Sequence, residues 1–320
     1  WSNTHILYNF YLNYSTKIMF KNMEKLVKEM GSIDILVDFD AGATKYIDKL
    51  NIKRKIVWIH NSIPNLKKKK DKIERFGKRL EHYDTIVAIC DEMKEELENI
   101  YPKLRGKIRR IYNPFNFERI EKLSEDLSEL NNEQKNMLKD DYCIAISRLD
   151  TLQKDYLTLI KAFSKLKEKN INKKLYIIGD GPQKSELEEK IKELNLEKDV
   201  LLLGQKKNPF PWMKNAKLFL HTSYGEGLPT VFLESMICGT AVIAYDCPTG
   251  PKDILGKNEY GILVKNGDKK SFEEEIINLL DDENRKKYML DKFMKEKIKE
   301  FDVKYIVEQF KKLINFGDEE

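Results

Sequence analysis

Two carboxylates separated by seven residues, Glu226 and Glu234, flank a glycine-rich turn in the run Ser223-Tyr224-Gly225-Glu226-Gly227-Leu228-Pro229-Thr230-Val231-Phe232-Leu233-Glu234. The order of residue types predicts a strand ending near Leu220, a loop, and a helix with Pro229 in its first turn, where a missing N–H costs nothing. Gly239 then stops the helix and a buried strand resumes. Amides left unpaired around Leu228 to Val231 make an anion site, reinforced by the helix dipole. Gly225 and Gly227 let a ligand approach the backbone closely. Alone, Glu226 would be read as complementing the dipole and Glu234 as a surface position. Together with the Gly-Leu-Pro turn they read as one site.

The elements that must position this site alternate between short β-rich runs and longer amphipathic ones, the pattern of α/β units around parallel sheets. Strand candidates in the first half are 33–39, 55–59, 85–89 and 108–112. In the second half they are 142–147, 174–178, 200–203, 217–220, 241–245 and 261–264. Helical spacing marks 156–167 and 303–316, and a charged helical stretch is expected over 117–138. Asn113-Pro114-Phe115-Asn116 is a turn signal, so the boundary is set at Pro114. A first domain of 1–114 and a second of 115–302 follow, with 303–320 free to join the first.

Composition excludes several classes. A chain of 320 residues that is 41% hydrophobic supports two cores, and no apolar run approaches the ~18 residues that span a bilayer. Cys90, Cys143, Cys238 and Cys247 lie far apart with no Cys-x-x-Cys pair, which reads as reduced thiols; four His without ligand spacing argue against zinc. The start, Trp1 to His5, has no basic region followed by an apolar core, and it lacks an initiator Met. Charge is uneven: to Pro114 there are 23 Lys and Arg against 15 Asp and Glu, and beyond it 35 against 38. Residues 67–79 alone hold eight basic and two acidic side chains, either a solvated loop and helix start or a patch held against anionic lipid. Phe76 is the one aromatic within it, which does not support nucleic acid.

The Glu226-to-Ala244 segment resembles the Glu-x7-Glu donor motif of glycosyltransferase family 4, the retaining GT-B enzymes. The continuation from Tyr245 to Leu255 resembles the branch that builds bacterial surface glycans. Further segments agree with the family. They are Ser147-Arg148-Leu149-Asp150 with Gln153-Lys154, Gly179-Asp180-Gly181-Pro182, Leu203-Gly204-Gln205, Ile56-Val57-Trp58-Ile59-His60 and Ile111-Tyr112-Asn113-Pro114. Val87-Ala88-Ile89-Cys90-Asp91 is similar too, with Cys90 where the family has Ser.

The resemblance implies an α/β GT-B fold, two Rossmann-like domains facing a central cleft. It implies that Glu234 holds the ribose hydroxyls, that Glu226 and His60 lie by the transferred sugar, and that Arg148 and Lys154 clamp the diphosphate. Gly179, Gly181, Gln205, Gly227, Leu228, Pro229 and Thr230 would complete the donor site, Pro229 through its carbonyl only. A fixed guanidinium and an ammonium can neutralise a leaving nucleoside diphosphate without a metal. The expected protein is thus a retaining, metal-independent glycosyltransferase without cofactor. It would move a hexose or N-acetylhexosamine from a nucleotide-sugar, UDP-sugar first, to a lipid-linked or surface glycan. Its expected place is cytoplasmic, peripheral at an anionic membrane face. A nucleotide-sugar epimerase or a non-catalytic glycan-binding protein of the same fold are the alternatives. The family's opening strand and Gly-Gly loop have no counterpart here, so an incomplete N-terminus is expected.

Overall fold

The computed structural model describes residues 2–31, 33–67, 69–150 and 152–315. Contacts divide the chain into two compact units, Trp1–Ile111 with Phe310–Glu320, and Tyr112–Gln309.

The first unit is built on four parallel strands, β1 (Ile35–Asp38), β2 (Arg54–Ile59), β3 (Thr85–Ala88) and β4 (Ile108–Arg110), neighbours in chain order. Every residue of β3 and the last four of β2 are buried, as parallel strands covered on both faces require. Asp38 ends β1 and accepts the Gly42 and Ala43 amides at 2.9 and 3.0 Å, and the Tyr83 hydroxyl. These bonds fix the 3-10 turn Gly42–Lys45 against the sheet. The 29-residue helix Ser2–Met30 had no counterpart among the expected elements. Among its described side chains Tyr14, Ile18, Met19 and Leu26 are exposed while Phe20, Met23 and Val27 are half-buried, so apolar residues fall on more than one face.

The second unit holds β5 (Tyr142–Ile146), β6 (Lys174–Ile178), β7 (Val200–Gly204), β8 (Phe219–His221), β9 (Val242–Asp246) and β10 (Ile262–Lys265). Their order, β10-β9-β8-β5-β6-β7, is all parallel and is that of a doubly wound dinucleotide-binding half. Alternate residues bury opposite faces. Cys143, Ala145, Leu175, Ile177, Leu218, Leu220, Ile243 and Tyr245 join the core under helices Tyr156–Glu168 and Lys269–Leu280. On the opposite face Tyr142 stacks on Tyr176 at 4.4 Å and Tyr176 meets Trp212 edge-on at 5.9 Å. All four cysteines are buried thiols.

Three expectations are corrected. The stretch 117–138 is two helices, Phe117–Glu125 and Asn132–Met137. Asp126 turns extended and accepts the Ser128 amide at 2.9 Å, and Asn131 and Gln134 then form a reciprocal capping box at 2.8 and 3.1 Å. The strand expected at 217–220 is Phe219–His221, which draws a histidine into the sheet. Pro229 caps the helix Thr230–Ile237 from outside and is not in its first turn.

The helix Val303–Asn315 runs out of the second unit, and its residues from Phe310 pack with the first. Phe316, expected at its end, lies outside the described residues. Arg54 donates to the Leu313 and Ile314 carbonyls at 2.5 and 2.6 Å, satisfying acceptors that a helix terminus otherwise leaves open. Arg54→Ala should raise amide exchange over residues 310–315 about tenfold, with exchange in β5 and β6 unchanged, for two lost charge-assisted bonds of about 1–2 kcal/mol together. Equal protection in variant and wild type would show that Trp58–Phe310 packing, 5.7 Å between rings, holds the helix alone.

Candidate functional site

In the second unit the strand order reverses between β5 and β8: β6 and β7 lie to one side, β9 and β10 to the other. Loops leaving the carboxyl ends of neighbouring strands must diverge there, and the crevice between them is where open α/β sheets bind ligands. Ser147, Gly179, Gln205, Thr222 and Cys247 each follow a strand on this edge.

The loops after β5 and β8 are joined across the switch point. Asp155 N–H donates to Thr222 O at 3.0 Å, and Thr222 Oγ1 returns a bond to Asp155 O at 2.8 Å. Tyr224 N–H reaches Gln153 O at 2.9 Å, and Gln153 Nε2 reaches Gly225 O at 2.8 Å. Asp155 also caps the helix Tyr156–Glu168 through Thr158 and accepts the Tyr224 hydroxyl. Residues 153–155 and 222–225 are thereby held as one piece.

On that frame Lys154 Nζ donates to Glu226 Oε1, and His221 Nε2 lies 2.8 Å from the same oxygen. The lysine and glutamate side chains are only 13% and 14% exposed. Burial pushes the Glu226 carboxyl upward, but the hydrogen bonds from His221 and Lys154 and the positive charge facing it prevail and hold it at about 2. Burial lowers the His221 imidazole from its ordinary value, against the pull of Glu226. At neutral pH Glu226 is therefore a carboxylate, and neutral His221 meets it through Nε2. The second glutamate differs: Glu234, on the helix Thr230–Ile237, has its carboxyl raised by burial.

The other predicted residues are placed as follows. Arg148 is exposed just beyond β5. Gly179 and Gly181 are held against the β5 loop: a Cβ on Gly179 (φ +149°) would lie 1.9 Å from Ser147 O, and one on Gly181 2.3 Å from Leu149 O. Both positions exclude any side chain. Gln205 follows β7 and is exposed. Gly227, Leu228, Pro229 and Thr230 lead into the helix Thr230–Ile237, which no side chain caps. The loop after β9 packs on this turn, since a Cβ on Gly250 would lie 2.4 Å from Gly227 O. His60 belongs to the first unit, beyond β2. Residue 151, within the Arg148–Lys154 stretch, lies outside the described residues.

Sequence reasoning missed His221 and Asp155. The strand was expected to stop at Leu220, which left His221 unassigned. Its signal was present, since Phe219 and His221 share one face and the imidazole meets Phe232 edge-on at 5.0 Å. Asp155 carried a helix-cap signal directly before the apolar-periodic Tyr156–Leu166.

The folded-state pKa of Glu226 lies below its unfolded value of 4.5, so its contribution is complete above pH 4.5 and is lost as pH falls toward about 2. His221, buried neutral, adds a loss in the same direction below its ordinary 6.5. Glu226→Gln should lower the urea midpoint at pH 7 and flatten its decline between pH 4.5 and 2.5, where this carboxyl costs wild type about 2 kcal/mol. An unchanged acid slope in the variant would mean that other carboxylates govern acid unfolding.

Residues 128–296 match the family model described as glycosyl transferases group 1. An uncharacterised glycosyltransferase of Methanocaldococcus jannaschii is 33% identical over 261 residues, covering 72% of this chain and 63% of that protein. The N-acetylgalactosamine-N,N'-diacetylbacillosaminyl-diphospho-undecaprenol 4-alpha-N-acetylgalactosaminyltransferase of Campylobacter jejuni is 35% identical over 205 residues, 64% of this chain and 52% of that one. The chain thus spans between about half and two thirds of these relatives' lengths. Among solved structures, Anabaena HepE in complex with UDP and glucose matches with TM-score 0.77 at 18% identity, covering 91% of this chain and 80% of that one. At this identity the likeness concerns the fold, which is GT-B, as the sequence led us to expect. The family match covers more than half of the chain and includes both loops of the switch point, and the chain belongs to the glycosyl transferases group 1 family.

Proposed function

We propose that this chain is a retaining, metal-independent glycosyltransferase of family 4 that takes a UDP-sugar as donor. The observation that carries the reading is the buried Lys154–Glu226–His221 cluster at the switch point, beside an uncapped helix start and Glu234. A charged cluster of this kind inside a crevice is costly to bury and is characteristic of a reacting site. Relatives that act on diphospho-undecaprenol-linked sugars support a nucleotide-sugar donor and a lipid-linked acceptor.

In this reading Glu234 accepts the ribose hydroxyls. Gly179 and Gly181 admit the nucleotide to the backbone, Gln205 lies at the base pocket, and the amides around Leu228 and Thr230 meet the diphosphate. Arg148 and Lys154 neutralise the leaving group. The bond from the sugar's anomeric carbon to the diphosphate breaks, and the acceptor hydroxyl bonds to that carbon on the same face. Its proton passes to the departing phosphate oxygen. Glu226, held ionised, faces the sugar and favours positive charge developing there. His60 keeps the sugar-contacting part that the resemblance gives it.

Arg148→Ala should weaken UDP about ten- to hundredfold in calorimetry, one charge-assisted contact being worth roughly 1.5–3 kcal/mol, with EDTA without effect. Glu234→Gln should likewise weaken UDP, whereas Glu226→Gln should lower turnover of a UDP-sugar panel and leave UDP affinity nearly intact. A strict metal requirement, or equal affinity losses from both glutamates with turnover unaffected, would refute this assignment.

The proposal extends to an anionic membrane surface as the place of work. Among the described residues no helix is long and apolar enough to cross a membrane. Helix Lys70–Leu80 buries Phe76, Gly77 and Leu80, while Lys69, Lys70, Lys72 and Lys78 are exposed. Lys68, part of the expected patch, lies outside the described residues. Each exposed lysine can contribute about 1 kcal/mol against an anionic surface, less as salt screens it. Replacing these four lysines by Gln should abolish sedimentation with phosphatidylglycerol vesicles at low salt and leave UDP affinity unchanged. Equal sedimentation would make this face ordinary solvated surface.

A further inference from the structure

The amino ends of β8 and β9 carry a recess of their own, on the edge of the second sheet opposite the crevice. It measures about 590 Å³ and lies between the residues leading into β8, the end of the helix Thr230–Ile237 and the helix Glu283–Glu296. The helix Thr230–Ile237 separates the two places. It starts at the turn after β8, its last two residues line the recess, and eight residues at 1.5 Å each keep its ends about 12 Å apart. A ligand in the crevice therefore leaves the recess open.

Four lysines line this recess, Lys214, Lys217, Lys286 and Lys287, against two carboxylates, Glu283 and Asp291. Lys214 is committed to Glu125 outside the recess. Lys217 lies 3.9 Å from Asp141, which Lys173 holds more closely at 2.5 Å. Among the described residues Lys287 has no ion-pair partner. Lys286 is only 5% exposed, and its Nζ donates to Leu280 O at 2.9 Å and Glu283 Oε1 at 2.7 Å. An ammonium has three N–H groups, so one is left without an acceptor among the described residues. A buried ammonium with a donor to spare, beside an unpaired lysine, is what an anionic oxygen would complete.

The helix end does not oppose an anion through open acceptors. The Glu234, Ser235 and Met236 carbonyls already take the amides of Cys238, Thr240 and Gly239. Buried Met236 and Ile237 and half-buried Leu290 add an apolar wall. Lysines arriving from two elements, with no arginine fork among them, suit a compact dianion met from several sides better than a planar carboxylate.

We propose that this recess binds an organic phosphate monoester, its phosphate held by Lys217, Lys286 and Lys287 and its carbon skeleton laid against Met236, Ile237 and Leu290. Such a site does not depend on glycosyl transfer at the crevice. With UDP saturating, phenyl phosphate should bind the full chain in calorimetry. It should bind more tightly than inorganic phosphate, which lacks the ring, and than benzoate, which carries one charge. The double variant Lys217→Gln, Lys287→Gln should lose at least about tenfold of that affinity with UDP affinity and thermal midpoint unchanged. The charge-keeping variant Lys287→Arg should retain binding. Absence of phenyl phosphate binding, or binding that UDP abolishes or that survives the double substitution, would overturn the site. Benzoate binding as tightly would overturn the phosphate as its ligand, and inorganic phosphate binding as tightly would overturn the organic substituent. A chain that binds phenyl phosphate in this way but not UDP would refute the donor reading while supporting the recess.

Discussion

The ion pair between Lys154 and Glu226 has both partners largely buried, and the loops of the switch point are built around that constraint. Removing two charges from water carries a penalty of several kcal/mol per ion, which mutual attraction repays only with good geometry and further hydrogen bonds. Here the geometry comes from outside the pair. The loops after β5 and β8 are sewn together by backbone bonds, Asp155 anchors one to a helix and to Tyr224, and His221 supplies the extra hydrogen bond from the sheet itself. A fold seeking stability alone would place apolar residues there. Keeping charge at the point where the strand order reverses makes sense if a charged ligand completes the cluster, because Lys154 can then serve a carboxylate and an anion together.

Glycines extend the same logic along the edge. Gly179 and Gly181 bring the β6 loop onto the carbonyls of Ser147 and Leu149, and Gly250 brings the β9 loop onto Gly227. Each contact is too close for a Cβ. Four strand ends are drawn inward by backbone alone, so the side chains that remain, Lys154, Glu226 and Glu234, are the ones free to differ chemically. Their environments separate them: Glu226 is driven toward the ionised form and Glu234 toward the neutral one. Two carboxylates pushed in opposite directions are suited to two tasks.

The central described strands, such as β2, β3, β5 and β6, were legible because parallel strands buried on both faces are short continuous apolar runs, whereas β4, Ile108–Arg110, is half-exposed and was marked only by its place between turns. What failed were features fixed by partners. The break at Asp126–Asn131 depends on side chains that bond nearby amides, although the Asn131–Gln134 box could have been read as a new helix start. His221 was lost by one residue of strand end, and its partner Glu226 lies five residues on through a loop whose path only the fold sets. That Lys154 meets Glu226, 72 positions away, follows from strand order, and strand order is not written in any local pattern.

The two units differ in what their strand ends can offer a ligand, and topology explains the difference. The second sheet reverses direction between β5 and β8, so a crevice opens and helix amides and loop backbone can line it. The described strands of the first unit run β1-β2-β3-β4 with no reversal, and no such crevice forms among them. The amides at the start of the Gly42–Lys45 turn are consumed by Asp38. The recess beside that turn is lined instead by side chains, Lys45, Lys67 and Arg79 among them. Side-chain cations on flexible stems tolerate varied ligand shapes, whereas a backbone cradle demands one shape. A ligand part of fixed shape therefore suits the backbone-lined crevice of the second unit, and one of varying shape suits a recess lined by side chains.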